Sequence, residues 1–399
     1  MPAIVPNRRL AALVLLSLAG CAPPSTPAPA PAPAASTTLL VRLGSDTVGV
    51  EQYTRTASRM EGVLVNRSPF TTISRYTVDL GPNSVPTNVE YSLRKGDGSM
   101  VPGAMQSLSM RFVGDSIQLV GHRAAGDTAR VNVARGELQP YLNGSYGLFE
   151  LALARLMATA RDSAQFALVP MAFSVRNTNP LPMKRLAGDS VRITWFGAPV
   201  YARHDGRGGL LGVDGRASTA KVRVDRVANT DLEALARSWN AREQTAGAAG
   251  PASTRDTVKA TVGKANLWID YGRPALRGRD VWANGVLGDS IWRTGANAAT
   301  QLRTDTDLLI GGQVVPAGTY TLWTQANRDG YHLIVNKQFG QWGTDYHPDR
   351  DLIRVPLSDA MSPSSTERFT IGVEPRSTGN AALTLAWGNK VLTVPVTVR

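Results

Sequence analysis

Residues 71–94 read TTISRYTVDLGPNSVPTNVEYSLR. Apolar and polar side chains alternate up to Leu80 and alternate again from Asn88 to Arg94. A period of two sends successive side chains to opposite faces of a strand. Gly81-Pro82-Asn83 between them is a turn cluster, because Gly and Pro supply the dihedrals a reversal needs. Two strands joined so closely pair antiparallel.

The pattern extends in both directions. Leu39–Leu43, Thr47–Thr56 and Arg59–Val65 precede it, and Ser107–Val113, Ser116–Gly121 and Ala129–Val133 follow it. Gly96-Asp97-Gly98 and Gly114-Asp115 supply further turns. Strands at this spacing, with no helix between them, predict an antiparallel meander. Ser145–Arg161 breaks the pattern. Its Leu148, Phe149, Leu151, Leu153, Leu156 and Met157 cover more than one helical face, which predicts a largely buried helix. Strands resume at Phe166–Phe173, Ser190–Phe196, Val200–His204, Gly209–Val213 and Lys221–Arg226. Asp231–Glu243 has Leu232, Leu235 and Trp239 at helical spacing, and residues 245–253 (TAGAAGPAS) have linker composition.

These boundaries give an N-terminal domain over 37–245, a linker over 246–254 and a second domain over 255–399. The second domain is again a series of short strands, among them Ala265–Tyr271, Thr319–Thr324, Tyr331–Asn336, Leu352–Leu357, Arg368–Val373, Ala382–Trp387 and Val391–Val398. Gly311-Gly312 and Gly388-Asn389 are placed as tight hairpin turns. The fold class is mainly β, with two β-rich domains. The first is an antiparallel meander with one buried helix (α+β), and the second is a β-sandwich or jelly roll. A curved sheet around a greasy helix is one way to build an apolar cavity, as periplasmic lipoprotein carriers do by architectural analogy. A packed α+β core accounts for the same residues.

Cys21 is the only cysteine of the 399 residues, so no disulfide forms within the chain and no Cys-based metal site exists. Asn7-Arg8-Arg9 precedes an apolar run, Leu10–Ala19, too short for the roughly 20 residues that span a bilayer. The run closes on Leu18-Ala19-Gly20-Cys21, which resembles the bacterial lipobox. That resemblance implies a signal peptide over 1–20, and a Cys21 that carries diacylglycerol and an acylated amine. It also implies an outer-membrane address, since Ala22 stands where Asp would signal inner-membrane retention. Residues 21–36 then form a lipidated, Pro/Ala-rich tether that favours extended polyproline II. The expected localisation is the cell envelope, facing the periplasm or the surface, with the membrane as partner through the lipid anchor.

Lys and Arg number 43 against 31 acids, a formal charge of +12. Only seven of the 43 are Lys, and the Arg residues are scattered. That composition fits a GC-rich coding bias and lacks the clustered footprint of a nucleic-acid binder. No nucleic-acid partner is expected.

From Tyr271 to Leu357 the chain resembles the DUF2911 family, whose function is unknown. The matching pieces are Tyr271-Gly272-Arg273-Pro274, Arg277-Gly278-Arg279, Trp292-Arg293-Thr294-Gly295-Ala296-Asn297 followed by Thr300, Pro316-Ala317-Gly318-Thr319-Tyr320, Asn336, Trp342-Gly343 and Tyr346. The resemblance implies a compact domain and attaches no reaction to it.

Read physically, these motifs make a candidate ligand site. Arg273, Arg279 and Arg293 suit a carboxylate or phosphate through paired hydrogen bonds. Trp292, Trp342 and Tyr346 offer stacking faces that also suit sugars. Tyr271, Asn297, Asn336 and His347 complete the candidate set. The competing account makes Arg and Trp braces for long loops, has Asn297 and Asn336 bond backbone groups, and leaves Gly295 and Gly318 explained by turns alone. His347 lies in the polar loop Asp345–Asp351, whose spacing matches no defined zinc pattern. No nucleophile elbow, HExxH helix or phosphate-binding glycine loop is present, so no catalytic residue, metal ligand or cofactor is assigned. The expected function is a non-catalytic binding or assembly protein for a small anionic or sugar-like ligand or an envelope partner. Its rivals are a periplasmic hydrolase using carboxylates or the His347 loop, and a lipid or lipoprotein carrier acting through the N-terminal domain.

Overall fold

The computed structural model describes residues 35–399 except 114–115, 124–127, 135–136, 172–177, 219–220, 283–290 and 328. The expected leader, Cys21, the expected tether up to residue 34 and the expected turn at Gly114-Asp115 lie outside the described residues. No helix among those described is long and apolar enough to cross a membrane.

The first sheet begins with β1 (Thr37–Leu43), β2 (Asp46–Arg55), β3 (Arg59–Asn66), β4 (Thr72–Leu80), β5 (Pro86–Lys95), β6 (Met105–Val113), β7 (Ser116–Arg123) and β8 (Thr128–Ala134). It continues with β9 (Leu138–Tyr141), β10 (Ser163–Pro170), β11 (Asn179–Arg185), β12 (Ser190–Trp195), β13 (Ala198–His204), β14 (Leu210–Asp214) and β15 (Val222–Val227). The sheet has two wings. One steps outward from β1 to β8 in sequence order; the other runs from β15, which pairs with β1, back to β9. Val41 faces Val224 across that central pair. All pairs are antiparallel except β9 with β10. A parallel pair needs a crossover, and α1 (Phe149–Met157) lies within it.

The alternation read in the sequence decides what each face of this sheet buries. Leu39, Met60, Leu64, Val89 and Ile117 join Leu151, Leu153 and Leu156 of α1 in one core. Val50 and Val65 point the opposite way and receive α2 (Leu232–Ala246) through Leu232, Ala236 and Trp239. Asp231 caps α2, accepting from the Ala234 amide at 2.9 Å, as a short acidic side chain does at an N-cap.

α1 is shorter than the helix expected over 145–161. Its first expected turn is held elsewhere: the Glu51 carboxylate accepts from Ser145 Oγ at 2.5 Å and from the Tyr146 and Gly147 amides at 2.8 and 2.7 Å. The segment so held runs in tight turns, with the Phe149 and Glu150 amides bonding the Tyr146 and Gly147 carbonyls at 3.0 and 2.9 Å, and the helix starts at Phe149.

The second sheet comprises β16 (Ser253–Val262), β17 (Ala265–Pro274), β18 (Ile291–Trp292), β19 (Thr300–Thr304), β20 (Leu308–Ile310), β21 (Gln313–Val315), β22 (Gly318–Asn327), β23 (Gly330–Asn336), β24 (Asp351–Ser377) and β25 (Asn380–Val398). β24 pairs with β23 up to Leu357 and with β25 from Ser358 onward, with register shifts that bend it. The bend brings β24 back over β17: the Ile371 amide donates to Tyr271 Oη at 3.1 Å. Leu267, Ile269, Phe369, Ile371, Leu385 and Trp387 fill the space between the layers. Gly311 and Gly312, at φ 56° and 82°, turn β20 into β21 as the sequence predicts. Gly388-Asn389 does not make a hairpin. Gly388 (φ 61°) sits inside a continuous β25, opposite Thr366. A glycine between apolar runs serves a bulge as readily as a turn.

Candidate functional site

The two sheets meet where the β1–β2 turn docks on the segment after β17. Gly44, at φ 64°, lies so close that a Cβ there would stand 2.7 Å from Arg279 Cγ and 2.9 Å from the Arg277 carbonyl oxygen. Arg277 reaches across to Asp46 at 3.4 Å and donates to the Gly250 carbonyl at 2.6 Å. Beside this contact opens a pocket of about 310 Å³. The first sheet contributes Gly197, Ala198, Ser218 and Lys221 to its wall; the second contributes Arg279, Trp292, Arg293, Trp323, Thr344, Tyr346 and Trp387.

The DUF2911-like motifs form this wall by interlocking. Trp292 donates to the Gly295 carbonyl at 2.8 Å, and Thr300 Oγ1 donates to the Thr294 carbonyl at 2.7 Å, which folds the loop after β18 tightly. Gly295 is required by close approach and not by a turn: a Cβ would sit 2.8 Å from the Gly272 carbonyl oxygen. The Gly343 amide bonds the Asn297 carbonyl at 3.0 Å, and a Cβ on Gly343 would fall on Arg293 Cδ. Arg293 Nη1 donates to the Gly343 carbonyl at 3.1 Å.

The aromatics are stacked behind the cations. Trp292 lies 5.5 Å from Trp387 with planes 13° apart. The Arg279 guanidinium sits 5.8 Å over the Trp387 ring. Tyr346 packs on Trp323 at 4.9 Å and donates to Asp351 at 2.7 Å.

Three cations face the pocket, and none of them forms an ion pair among the described residues. Among the described residues Arg279 donates only to the carbonyls of Leu276 and Ala275. The buried Arg293 Nε has no partner among those residues. Burial and the neighbouring Arg277, opposed by the charge of Glu367, lower Arg279 to about 10, and burial lowers Arg293 too. Lys221 is pulled down to about 8 by burial and by the charges of Arg293 and Arg279. Water is thus partly withdrawn from like charges that make no ion pair among the described residues, with Glu367 as a more distant opposite charge for Arg279, which leaves room for an anion.

Backbone strain concentrates at the same junction. Seven non-glycine residues among those described have positive φ, and five of them (Phe196, Lys221, Arg277, Thr294 and Asn297) lie here. Such conformations cost about 1–3 kcal/mol each and persist where the surroundings hold them.

The sequence-predicted residues divide. Arg279, Trp292, Arg293 and Tyr346 converge on the pocket. Arg273 does not: it is spent on Asp256 at 2.9 Å, the Phe369 carbonyl at 3.1 Å and Thr370 Oγ1 at 2.9 Å. Tyr271 is buried against Phe369. Asn297 acts through its carbonyl, and Asn336 ties β23 to the His347 carbonyl and Asp351 at 2.8 and 2.9 Å. Trp342 stands 53% exposed beside the pocket. His347 pairs with Asp345 at 3.0 Å in an exposed loop. No group of three His, Cys, Asp or Glu among the described residues is placed to hold a metal. Lys221 carried no sequence signal beyond the scarcity of lysine in this chain.

A smaller pocket of about 210 Å³ lies on the other side of the Arg277–Arg279 segment, lined by Val41, Leu43, Tyr146, Trp195 and Arg277. The interior of the first sheet beyond it is occupied by α1, whose Leu151, Leu153 and Leu156 are fully buried.

Residues 253–396 match the model of DUF2911, described as a protein of unknown function. A DUF2911 domain therefore forms the second sheet and most of the pocket wall. The DUF2911 match leaves the first sheet, with Lys221, unassigned to any family. No curated protein matches the chain. A DUF1089 family protein from Pseudomonas aeruginosa aligns with 42% of this chain and 90% of its own length, at 12% identity and a TM-score of 0.32.

Proposed function

We propose that this protein is a lipid-anchored envelope protein that binds a small anionic ligand, without catalysis, in the pocket between its two sheets. The observation that carries the reading is the set Lys221, Arg279 and Arg293, three cations on one pocket with no ion-pair partner among the described residues. Beyond the bonds of Arg279 to the Leu276 and Ala275 carbonyls and of Arg293 to the Gly343 carbonyl, each guanidinium keeps N–H groups that suit a carboxylate or phosphate, and the withdrawal of water strengthens each contact. The aromatic side chains behind them suit a ligand whose remainder is flat or sugar-like. The envelope address rests on Leu18-Ala19-Gly20-Cys21 and the Pro/Ala stretch after it, which together read as an acylation site and its spacer.

Mass spectrometry of small molecules released from the purified chain tests the binding. An anion present in the parent protein and absent from both Arg279→Ala and Arg293→Ala supports the reading. No released anion, together with no heat on titration with inorganic phosphate, overturns it. The address is tested separately by metabolic labelling with a radioactive fatty acid, which should mark the chain and fail on Cys21→Ser.

A further inference from the structure

Lys221 is the amine of the pocket, and its surroundings are those of a nucleophile. It enters β15 at φ 55°, a conformation a lysine side chain adopts only under constraint. It shares the pocket wall with Arg279 and Arg293, and no carboxylate is in ion-pair range of it among the described residues. Lys390, by contrast, holds Asp359 at 2.9 Å, and its hydrogen bonds to Asp359 and Tyr331 raise it against the effect of burial.

We propose that Lys221 forms an imine with a small anionic aldehyde or ketone whose carboxylate or phosphate is held by Arg279 and Arg293. The inference rests on the anionic-ligand reading and goes beyond it by making the capture covalent. The Nζ lone pair forms the C–N bond while the carbonyl π pair moves to oxygen. That oxygen takes both amine protons and leaves as water, and the C=N bond closes. No oxidant, reductant or cofactor is consumed, and hydrolysis reverses the step. The attacking amine must be neutral. Burial and the two guanidiniums favour that form, lowering Lys221 to about 8. At pH 7 roughly a tenth of such amines are neutral, about 200-fold more than for an ordinary lysine near 10.4.

The test uses the full chain at pH 7 with glyoxylate as the carboxylate probe and pyridoxal 5′-phosphate as the phosphate probe. Sodium cyanoborohydride fixes any imine as a secondary amine, and peptide mass spectrometry locates it. An adduct on Lys221 at least tenfold above each of the other six lysines, reduced by competing inorganic phosphate, is the expected result. It should vanish in Lys221→Arg, whose circular dichroism matches the parent. Phosphate binding by calorimetry is measured in parallel. Phosphate binding with adducts spread evenly over the lysines overturns the imine and leaves the anion site standing. Neither phosphate binding nor a selective adduct overturns both.

Discussion

The Tyr76 hydroxyl on β4 donates a 2.7 Å hydrogen bond to the Glu51 carboxylate on β2, passing over Gly62 of the strand between them. A Cβ on Gly62 would fall on the Tyr76 ring. Glu51 is fully buried, and its other hydrogen bonds hold the segment that leads into α1. Glu51→Gln replaces one acceptor oxygen with an NH2 that faces donors, and should cost about 3 kcal/mol of stability. Urea unfolding followed by circular dichroism measures it. A loss below 1 kcal/mol would mean the carboxylate does not organise this segment.

Arg273 and Arg293 belong to similar motifs and should behave in opposite ways. Arg273 bonds three groups of β16 and β24, so Arg273→Ala should lower stability by about 1–3 kcal/mol while phosphate binding changes less than twofold. Arg293 keeps a buried Nε without a partner among the described residues, so Arg293→Ala should leave the stability of the empty protein unchanged or higher, as removal of an unpaired buried charge does. Its phosphate affinity should fall at least tenfold. Thermal melts with and without phosphate separate the two, and equal behaviour of the variants would remove the distinction.

The strands were legible because period-two alternation survives in any half-buried sheet: Val41 and Tyr76 face the core as their positions predict. The start of α1 was not, because the segment before it is anchored on Glu51, 94 residues away in sequence. In the pocket, the arginine-rich motifs were visible as such, yet nothing local separates Arg273 from Arg293; the bend of β24 brings Thr370 to Arg273, while Arg293 lies against Gly343 and lines the pocket. Lys221 comes from the opposite sheet, and no spacing relates it to the motifs it joins.

Cys21 supports a prediction independent of the pocket. If Leu18-Ala19-Gly20-Cys21 directs acylation, the parent chain should partition into detergent on phase separation and Cys21→Ser should stay in the aqueous phase, because more than one acyl chain makes attachment stable. The body should bind phosphate equally in both. Aqueous partition of the parent would refute the anchor and leave the binding site untouched.

Lys221 makes anion binding depend on pH in a stated direction. Sulfate keeps two charges across the range of interest, so any change belongs to the protein. Below about 8 the amine is charged and three cations meet the anion; above it Lys221 is neutral and two remain. Sulfate affinity should therefore be flat from pH 6 to 7 and fall through pH 8 to 9, by up to tenfold per unit for one released proton. Arg279, lowered to about 10, adds a second fall at higher pH. The empty protein moves the other way. Its folded state releases the Lys221 proton near 8 while the unfolded chain holds it to 10.5, so the unfolded state binds more protons in that window and stability from this group rises with pH. Lys221→Arg keeps the charge and should flatten the sulfate profile up to pH 9. Calorimetric titrations at half-unit intervals read both effects, and an unchanged profile in the variant would assign the proton elsewhere.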